Sequence, residues 1–317
     1  MKRADGGVRL PVADTFADTS VIRGRGIGGS GMDIEGRRQS SNIEDRRGRG
    51  PVRTGVGIGV GGLLVLVVLS FMGVDVRPLL GVVQQQAPSP AQGGAPYQES
   101  PQEAKARELT AVVLADTEDT WSSILPSYGV EYVAPTLVLY TGATESACGT
   151  GQAAMGPFYC PGDQKVYIDL SFYDELSARF GAPGDFAQAY VIAHEVGHHV
   201  QNLLGTSAKV HAARERARNE ADANALSVLQ ELQADCYAGI WARNADQSRQ
   251  LLEAGDYEEG IQAAQAVGDD TLQKRAQGYV VPDSFTHGSS AERAAWFRRG
   301  VEQGTLESCD TFGAARR

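Results

Sequence analysis

The stretch His194-Glu195-Val196-Gly197-His198 has the residue types and the spacing of a metal site with a catalytic base. On a helix, residues four apart lie on one face, so His194 and His198 can bind the same ion. Glu195 then lies beside the ion without facing it, which is where a general base takes a proton from an activated water. The pattern predicts a zinc hydrolase; two histidines packed on a half-buried helix are the alternative without chemistry.

The sequence around this stretch predicts the helix that the site requires. Pro183-Gly184-Asp185 is typical of a turn that starts a helix. Apolar residues recur at helical spacing as far as Leu203, and Gly205 is well placed to end the helix. His199 lies about 100° further round the helix than His198, so we expect it to pack or to support the ligands without binding the metal.

A third ligand is available further along the chain, in a helical run from about Ser207 to Arg243. Glu231 and Asp235 are four residues apart in that run and share a face. Glu231 would complete a site of two histidines and one glutamate, and Asp235 would accept a hydrogen bond from the free ring nitrogen of a ligand histidine. Alone, the pair is typical of a solvated helix face, but beside His194 and His198 the zinc site is favoured.

The two motifs together resemble the gluzincin metallopeptidases, and more specifically a family of neutral zinc metallopeptidases found as bacterial membrane proteins. The similarity covers roughly residues 32–312 and departs at residues 1–31. It implies an α+β fold, mainly helical with a small β-sheet, and a Zn²⁺ peptidase site. In gluzincins the edge strand of the sheet lies along the substrate cleft, which would assign Lys165–Asp169 to that strand. The matching blocks are Ser40–Arg47, Gly156–Pro161, Tyr190–Glu195, Glu231–Cys236 and Asp283–Gly288.

A second candidate group for the chemistry lies in Ser284–Arg293. This segment is similar to the Ser-Thr-His-Pro-containing segment of CAAX-processing-type membrane zinc endopeptidases, in which an arginine also follows six residues after the histidine. The similarity implies that His287 and Arg293 stabilise the oxyanion of a tetrahedral intermediate. In the alternative, His287 caps a loop and Arg293 forms a structural ion pair. Ser289 and Glu292 have the spacing of a helix capping box.

Residues 54–74 form a 21-residue stretch without charge, and their Leu, Val and Ile content predicts a transmembrane helix. At 1.5 Å per residue such a helix is roughly 31 Å long, enough to cross a bilayer. Residues 57–62 match a dinucleotide-binding loop formally, but the βαβ unit that such a loop needs is missing from the pattern. The glycine spacing also allows two such helices to pack closely, so self-association through this span is expected.

The arginines around the predicted span indicate its orientation. Arg77 alone follows it closely, whereas six precede it, at positions 37, 38, 46, 47, 49 and 53. Positive charge stays cytoplasmic, so we expect a single-pass protein of the cytoplasmic membrane with residues 1–53 inside and the catalytic domain outside. A cleaved signal peptide is the alternative, but the 53-residue lead and the lack of a clear A-x-A site argue against it.

The segments that flank the span predict little structure of their own. Residues 1–53 contain 11 Lys or Arg against 7 Asp or Glu and few large apolar side chains, which is typical of a disordered basic segment. Met32 opens the part that shares the family resemblance, so residues 1–31 are interpreted as a start-site artefact. Residues 75–102 predict a flexible linker rich in Gln, Pro and Gly, and residues 103–317 predict one catalytic domain.

Charge and cysteine content narrow the function further. Beyond residue 53 the chain has 18 Lys or Arg against 32 Asp or Glu, which argues against nucleic-acid binding. All four cysteines follow the span, as suits an oxidising compartment. Cys148 and Cys160 flank a Gly-rich loop and could close a disulfide, which leaves Cys236 and Cys309, although four cysteines allow three connectivities. No Cys-x-x-Cys pair occurs, so metal binding by cysteine is a minor alternative.

Within the catalytic domain, residues 103–124 predict a helix, Leu137–Tyr140 and Lys165–Asp169 predict strands, and the chain from Pro183 onwards is helical. The favoured function is a membrane-anchored zinc peptidase acting on peptide or protein substrates. A zinc amidase acting on cell-wall peptides and a catalytically silent zinc-binding scaffold of the cell envelope are the two alternatives.

Overall fold

A small β-sheet packs against a group of helices in the computed structural model, which describes residues 31–48 and 97–315. This arrangement agrees with the predicted α+β class, mainly helical with a small sheet. The strands are β1 (Ile43–Asp45), β2 (Thr136–Tyr140), β3 (Ala143–Ser146), β4 (Gly149–Gln152), β5 (Phe158–Cys160) and β6 (Lys165–Asp169). The helices are α1 (Pro101–Ile124), α2 (Ser171–Ala178), α3 (Asp185–Leu203), α4 (Thr206–Glu215), α5 (Glu220–Arg249), α6 (Asp256–Ala266), α7 (Asp269–Gln277), α8 (Ser290–Gln303) and α9 (Thr311–Ala314).

The four-stranded sheet has the order β1-β2-β6-β5, with β1, β2 and β6 parallel and β5 antiparallel to β6. β2 and β6 are short apolar runs that are buried on both faces, as central parallel strands are. The assignment of Lys165–Asp169 to the edge of the sheet is therefore wrong, because β5 lies outside β6. At three residues, β5 is too short to show an alternation pattern in the sequence.

Two disulfides join separate parts of the fold. Cys148–Cys160 links the β3–β4 hairpin to the end of β5, with Cα atoms 5.8 Å apart. Cys236–Cys309 links α5 to the C-terminal turn Glu307–Cys309, with Cα atoms 5.6 Å apart. These are the two pairs that the sequence favoured among three connectivities. Because all four cysteines are disulfide-bonded, they are not metal ligands.

Helix α3, which carries the first predicted motif, packs against α1, α5 and α6. At its start the ring of Phe186 stacks on Trp241 of α5, with ring centroids 5.7 Å apart. α5 in turn approaches α8 so closely that a Cβ on Gly239 would lie 2.1 Å from the carbonyl oxygen of Phe297. Only glycine fits at this crossing, and the close packing gives the two motif-bearing helices α3 and α5 a rigid frame.

The helical run predicted from Ser207 to Arg243 is two helices, α4 and α5, separated by residues 216–219. The side chain of Asn219 accepts a hydrogen bond from the main-chain N–H of Asp222 at 2.8 Å and so caps α5. The prediction missed this break because the Ala, Glu and Arg residues around it favour helix on both sides. The second motif, Glu231 with Asp235, lies wholly within α5 and keeps its predicted spacing.

Residues 31–48 form an ordered arm of the fold, so the prediction of disorder for residues 1–53 is wrong over this part. β1 pairs in parallel with β2, placing Ile43 beside Leu137. Met32 is buried, and its main-chain N–H donates to Asp185 at 2.7 Å. Main-chain pairing and polar contacts hold the arm, and a count of large apolar residues does not detect them.

Glu118 of α1 is the main polar anchor of this arm. Its carboxylate accepts hydrogen bonds from Ser40 at 2.5 Å, Asn42 at 2.8 Å and Arg38 at 2.9 Å. The arm contains four of the six arginines that were used to orient the span, and each pairs with a carboxylate of the folded unit. These arginines are Arg37, Arg38, Arg46 and Arg47. Their charges are therefore paired within the folded unit.

The arm ends at Gly48 and the chain resumes at Tyr97, and these two residues touch: a Cβ on Gly48 would lie 2.8 Å from the Cβ of Tyr97. The arm and the catalytic domain are therefore one folded unit. The prediction that residues 1–53 lie inside and the catalytic domain outside separates two parts of this unit, and the predicted span itself lies outside the described residues.

In the described part of the chain, no helix is long and apolar enough to cross a membrane. Several predictions concern residues that the structure does not describe. They are the disordered head and its start-site interpretation (residues 1–30), the transmembrane span and its self-association (residues 54–74), and most of the flexible linker (residues 75–96). The end of the predicted linker, Pro101–Gln102, is already the first turn of α1.

Three carboxylates near Met32 lie close together: ligand atoms of Asp185, Asp256 and Glu259 fall within 4.8 Å of one another. Burial raises the pKa of Asp256 to about 7, and the charges of Asp185 and Glu259 act in the same direction. Its ordinary pKa is about 3.9, so between these values the folded protein holds a proton that the unfolded chain has lost. The contribution of Asp256 to the free energy of unfolding is therefore fully present below about pH 4 and is lost as the pH rises through 7.

We expect Asp256→Asn to raise the melting temperature at pH 8 by roughly 2–4 °C for each kcal/mol of repulsion removed, and to change it little at about pH 4. Asparagine keeps the acceptor for the Glu253 N–H and carries no charge. Thermal unfolding across this pH range measures the difference, with Glu258→Gln at an exposed position of the same helix as the control. An equal gain in melting temperature at both pH values would contradict the raised pKa of Asp256.

Candidate metal centre

Two helices bring the three predicted ligands together. His194 and His198 lie one turn apart on α3, and Glu231 projects from α5. The Glu231 carboxylate lies 3.2 Å from Nε2 of His194 and 3.3 Å from Nε2 of His198. Gly197 makes this approach possible, because a Cβ there would lie 2.9 Å from the carbonyl oxygen of Ala234 on α5. One ion can therefore contact all three side chains.

The hydrogen bonds of the two imidazoles leave the correct ring nitrogens available for a metal. Nδ1 of His194 donates to Asp235 at 2.8 Å, and Nδ1 of His198 donates to Gln201 at 2.9 Å. Each Nε2 therefore directs its lone pair at the shared centre. Atoms bound to a tetrahedral zinc at about 2.0–2.1 Å stand roughly 3.3 Å apart. The separations between Glu231 and the histidines match this value, so these residues fit Zn²⁺.

Asp235 and Arg293 form a buried ion pair behind His194. Nε and Nη2 of Arg293 donate to the two oxygens of Asp235 at 2.9 and 3.0 Å, and Nη1 donates to the carbonyl of Val267 at 3.3 Å. Tyr190 donates a further hydrogen bond to Asp235. Every nitrogen of the guanidinium thus has a protein acceptor, so Arg293 holds Asp235 in place. These contacts support the ion-pair alternative for Arg293, which also lines the cavity described below.

The electrostatics of the centre favour a bound cation. Burial alone would raise the pKa of Glu231 and of Asp235, but the ligand histidines lower the former and Arg293 with His194 lowers the latter. Burial would also lower the pKa of His194, but the charge and hydrogen bond of Asp235 and the hydrogen bond of Glu231 raise it to about 10. The carboxylates therefore attract a positive charge to this centre, which a divalent cation supplies when it displaces the proton.

Gln201 belongs to the site and was not identified from the sequence. It is fully buried, and its amide oxygen is the acceptor for Nδ1 of His198. Its amide nitrogen donates to the carbonyl of Gln230 at 2.7 Å and to the side chain of Gln233 at 3.1 Å. Gln201 thus orients His198 as Asp235 orients His194, without a charge. Its spacing three residues after His198 was the available signal.

Gln201→Leu is expected to weaken zinc binding by about 10–100-fold, the usual effect of losing a group that orients a metal ligand. Gln201→Glu keeps an acceptor for His198 and should retain more of the affinity. Competition with a chelator of known affinity measures both variants. Equal zinc affinity in the wild type and in Gln201→Leu would show that His198 does not depend on this contact.

The metal centre opens on a cavity of about 960 Å³. Glu195 lines it, and within the described residues no hydrogen bond or ion pair engages the Glu195 carboxylate. Its lining includes Phe158 and Tyr159 of β5 and the apolar side chains of Phe172, Phe180 and Leu272. An acceptor thus faces the space beside the three ligands, as the sequence predicted for the general base.

His287 also lines this cavity, and Asp269 at the start of α7 holds it. One oxygen of Asp269 accepts the main-chain N–H groups of Thr286, His287 and Gly288, and the other lies 3.1 Å from Nδ1 of His287. The hydrogen bond that His287 donates to Asp269 raises the pKa of His287. Asp269 could not be identified from the sequence, because 18 residues separate it from His287. The predicted capping box of Ser289 with Glu292 is present at the start of α8.

The remaining histidines lie outside the ligand cluster. His199 is fully buried; its Nε2 donates to the carbonyl of Val133 at 2.6 Å and its Nδ1 accepts from Tyr159 at 3.0 Å. It does not belong to the ligand cluster, as its place on the helix predicted. His211 is exposed on α4 and lies 3.5 Å from Glu215.

These observations define a mainly helical protein with a centre of two histidines and one glutamate. The chain belongs to the family described as "Putative neutral zinc metallopeptidase", whose model matches residues 25–312. This match confirms the resemblance seen in the sequence motifs.

Two relatives show how far the similarity extends. "Uncharacterized protein YpfJ" of Escherichia coli K12 is 50% identical over 288 residues, which cover 89% of this chain and 99% of the relative. "Uncharacterized protein Mb2605" of Mycobacterium bovis is 41% identical over 205 residues, which cover 62% of this chain and 67% of the relative. No solved structure matches the chain.

Proposed function

We propose that this protein is a zinc-dependent peptidase that hydrolyses peptide bonds with Glu195 as general base. The observation that carries the proposal is the meeting of His194, His198 and Glu231 in an open cavity, with the unengaged Glu195 carboxylate in the same cavity. Structural zinc centres are closed by four protein ligands, whereas catalytic centres have three and keep a position open. Three ligands beside a cavity support the catalytic kind.

Zinc held by these three residues would lower the pKa of a water and polarise the carbonyl of the scissile bond. Glu195 accepts the proton of the water during attack on that carbonyl and then donates it to the leaving amine. Asp235 and Gln201 keep Nε2 of both histidines directed at the centre throughout.

His287 is suited to stabilise the oxyanion without help from Arg293. Its Nδ1 is engaged by Asp269, which leaves Nε2 as the donor towards the cavity. Because the hydrogen bond that it donates to Asp269 raises its pKa, His287 keeps its proton to a higher pH than a free histidine. A charged donor beside a developing negative charge is the arrangement that lowers the barrier to acyl transfer.

The substrate class that fits this cleft is an extended polypeptide. β5 pairs with β6 on one side only, so its other edge offers main-chain donors and acceptors along the cavity wall. Phe172, Phe180 and Leu272 also line the cavity, and their apolar side chains suit a large apolar side chain of the substrate. The acidic chain, with a net charge of −10, disfavours nucleic acid as a ligand.

We further propose that the folded unit works outside the cytoplasm. Two disulfides within residues 148–309 are typical of an oxidising compartment. Since the arm of residues 31–48 belongs to the same unit, it shares that compartment.

Proteolysis profiling of the purified full-length chain tests the proposed function. A peptide library and a set of muropeptides are each incubated with the zinc-loaded protein, and again after addition of a chelator. We expect cleavage of peptide bonds that the chelator abolishes and added zinc restores. Cleavage of muropeptides alone would favour a cell-wall amidase, and stoichiometric zinc without turnover of either substrate would favour a silent scaffold.

A further inference from the structure

All three side chains of the edge strand β5 are fixed by the surrounding structure. The ring of Phe158 stacks on Tyr167 of β6, with centroids 4.8 Å apart, and a Cβ on Gly151 of the β3–β4 hairpin would lie 2.4 Å from this ring. Cys160 is tied to the same hairpin by its disulfide. Tyr159 points to the opposite face of the strand, as alternation requires, and meets α3.

The contact between Tyr159 and α3 is a continuous chain of hydrogen bonds. The Tyr159 hydroxyl donates to Nδ1 of His199 at 3.0 Å and accepts from the side-chain amide of Asn202 at 3.2 Å. Nε2 of the same imidazole donates to the carbonyl of Val133, which precedes β2. The ring of His199 also meets the ring of Tyr159 edge-on, with centroids 5.4 Å apart. One buried imidazole thus joins α3, the edge strand and the segment before β2.

His199 directly follows the metal ligand His198 in the chain, so one turn of α3 carries the ligand on one face and the contact to β5 on another. Tyr159 is the middle residue of β5 and lines the cavity. The hydrogen bond between His199 and Tyr159 therefore fixes the position of the strand backbone relative to the ligand cluster. Neither residue contributes an atom to that cluster.

We propose that His199 and Tyr159 are positioning residues that set the register between a substrate main chain bound along β5 and the metal centre. The inference rests on the proposed peptidase function, because it concerns the substrate of that same site. Because β5 is already held in place, little conformational entropy is lost by the strand when a peptide pairs with it. The contribution of this pair is greatest for peptides long enough to lie along β5 and absent for the shortest substrates.

Tyr159→Phe tests the inference because it removes the hydroxyl and leaves the ring. We expect KM for an octapeptide substrate to rise roughly three- to tenfold, the effect of one lost hydrogen bond, with kcat and zinc content unchanged. KM for a blocked dipeptide should stay the same. Tyr257→Phe, which removes a hydroxyl bonded to Asp246 at 3.0 Å outside the cavity, is the matched control. His199→Asn, which can replace Nδ1 as an acceptor, should perturb KM less than His199→Leu.

A fall in kcat at unchanged KM, loss of zinc, or an equal rise in KM for both substrates would overturn the proposed register. Hydrogen exchange separates this result from a failure of the proposed function, since it needs no turnover. In Tyr159→Phe the amides of β5 should exchange faster, while those of α3 keep their protection. If the wild-type protein cleaves no peptide, the peptidase proposal fails. If it is active but exchange in β5 is unchanged by the substitution, the positioning role alone is refuted.

Discussion

Replacing Glu195 by glutamine is expected to reduce kcat for peptide cleavage by about 10²–10⁴-fold, the usual contribution of a general base. Glutamine has nearly the same shape, but it cannot take a proton from water. Zinc should remain bound, because the ligands are His194, His198 and Glu231, which the substitution leaves in place. Steady-state cleavage of a peptide identified by the library, together with elemental analysis of the same sample, measures both quantities.

Glu175→Gln is the matched control for this experiment. Glu175 also borders the cavity, but it pairs with Arg179 at 3.3 Å and is not part of the ligand cluster. The same change of charge should leave kcat close to that of the wild type. Full turnover by Glu195→Gln in a zinc-replete sample would remove Glu195 from the role of base, whatever the control shows.

His198→Ala is expected to lower zinc affinity by more than about 100-fold and to abolish cleavage at ordinary zinc concentrations. Loss of a hydrogen bond that orients a metal ligand already lowers metal affinity by about 10–100-fold. This substitution removes the ligand itself. The alanine also leaves the Gln201 amide oxygen and the Glu231 carboxylate without the imidazole that each contacts. Metal stoichiometry after dialysis against a weak chelator gives the direct measurement.

His211→Ala provides the comparison for that substitution. His211 is another histidine of the cavity rim, but it is exposed and contacts Glu215 instead of the ligands. Its removal should leave zinc stoichiometry intact. A full equivalent of zinc in dialysed His198→Ala would mean that the ion is held elsewhere.

The part of the site that lies on single helices could be predicted from the sequence. Spacings of four residues placed His194 with His198 and Glu231 with Asp235, and the helix geometry preserved both pairs. Sequence spacing could not show that Arg293 pairs with Asp235, because these residues lie on different helices.

The fold was predictable where elements are long and periodic. α1 and α3 follow their predicted limits closely, and the two central strands were recognised from their apolar runs. The edge strand β5 was missed because a three-residue strand has no measurable periodicity. The arm was missed because β1 is stabilised by pairing with β2, and strand pairing depends on a partner that is more than 90 residues away in the chain.

The orientation prediction rests on a count of arginines. The positive-inside rule counts arginines near a span as free charges. In the folded unit Arg38 pairs with Glu118 and Asp119, and Arg47 pairs with Asp45 and Glu99. A charge count cannot distinguish arginines that remain in solvent from arginines that are bound within a domain.

The ordered arm changes how this protein has to be shortened for biochemistry. A chain cut after residue 96, the natural choice for removing the apolar stretch, would lose β1 and expose the edge of β2. It would also strip Glu118 of Ser40, Asn42 and Arg38, leaving a buried carboxylate without its donors. Because Gly48 and Tyr97 touch, the two pieces can instead be joined by a few residues, so that residues 49–96 are excised and the sheet stays whole.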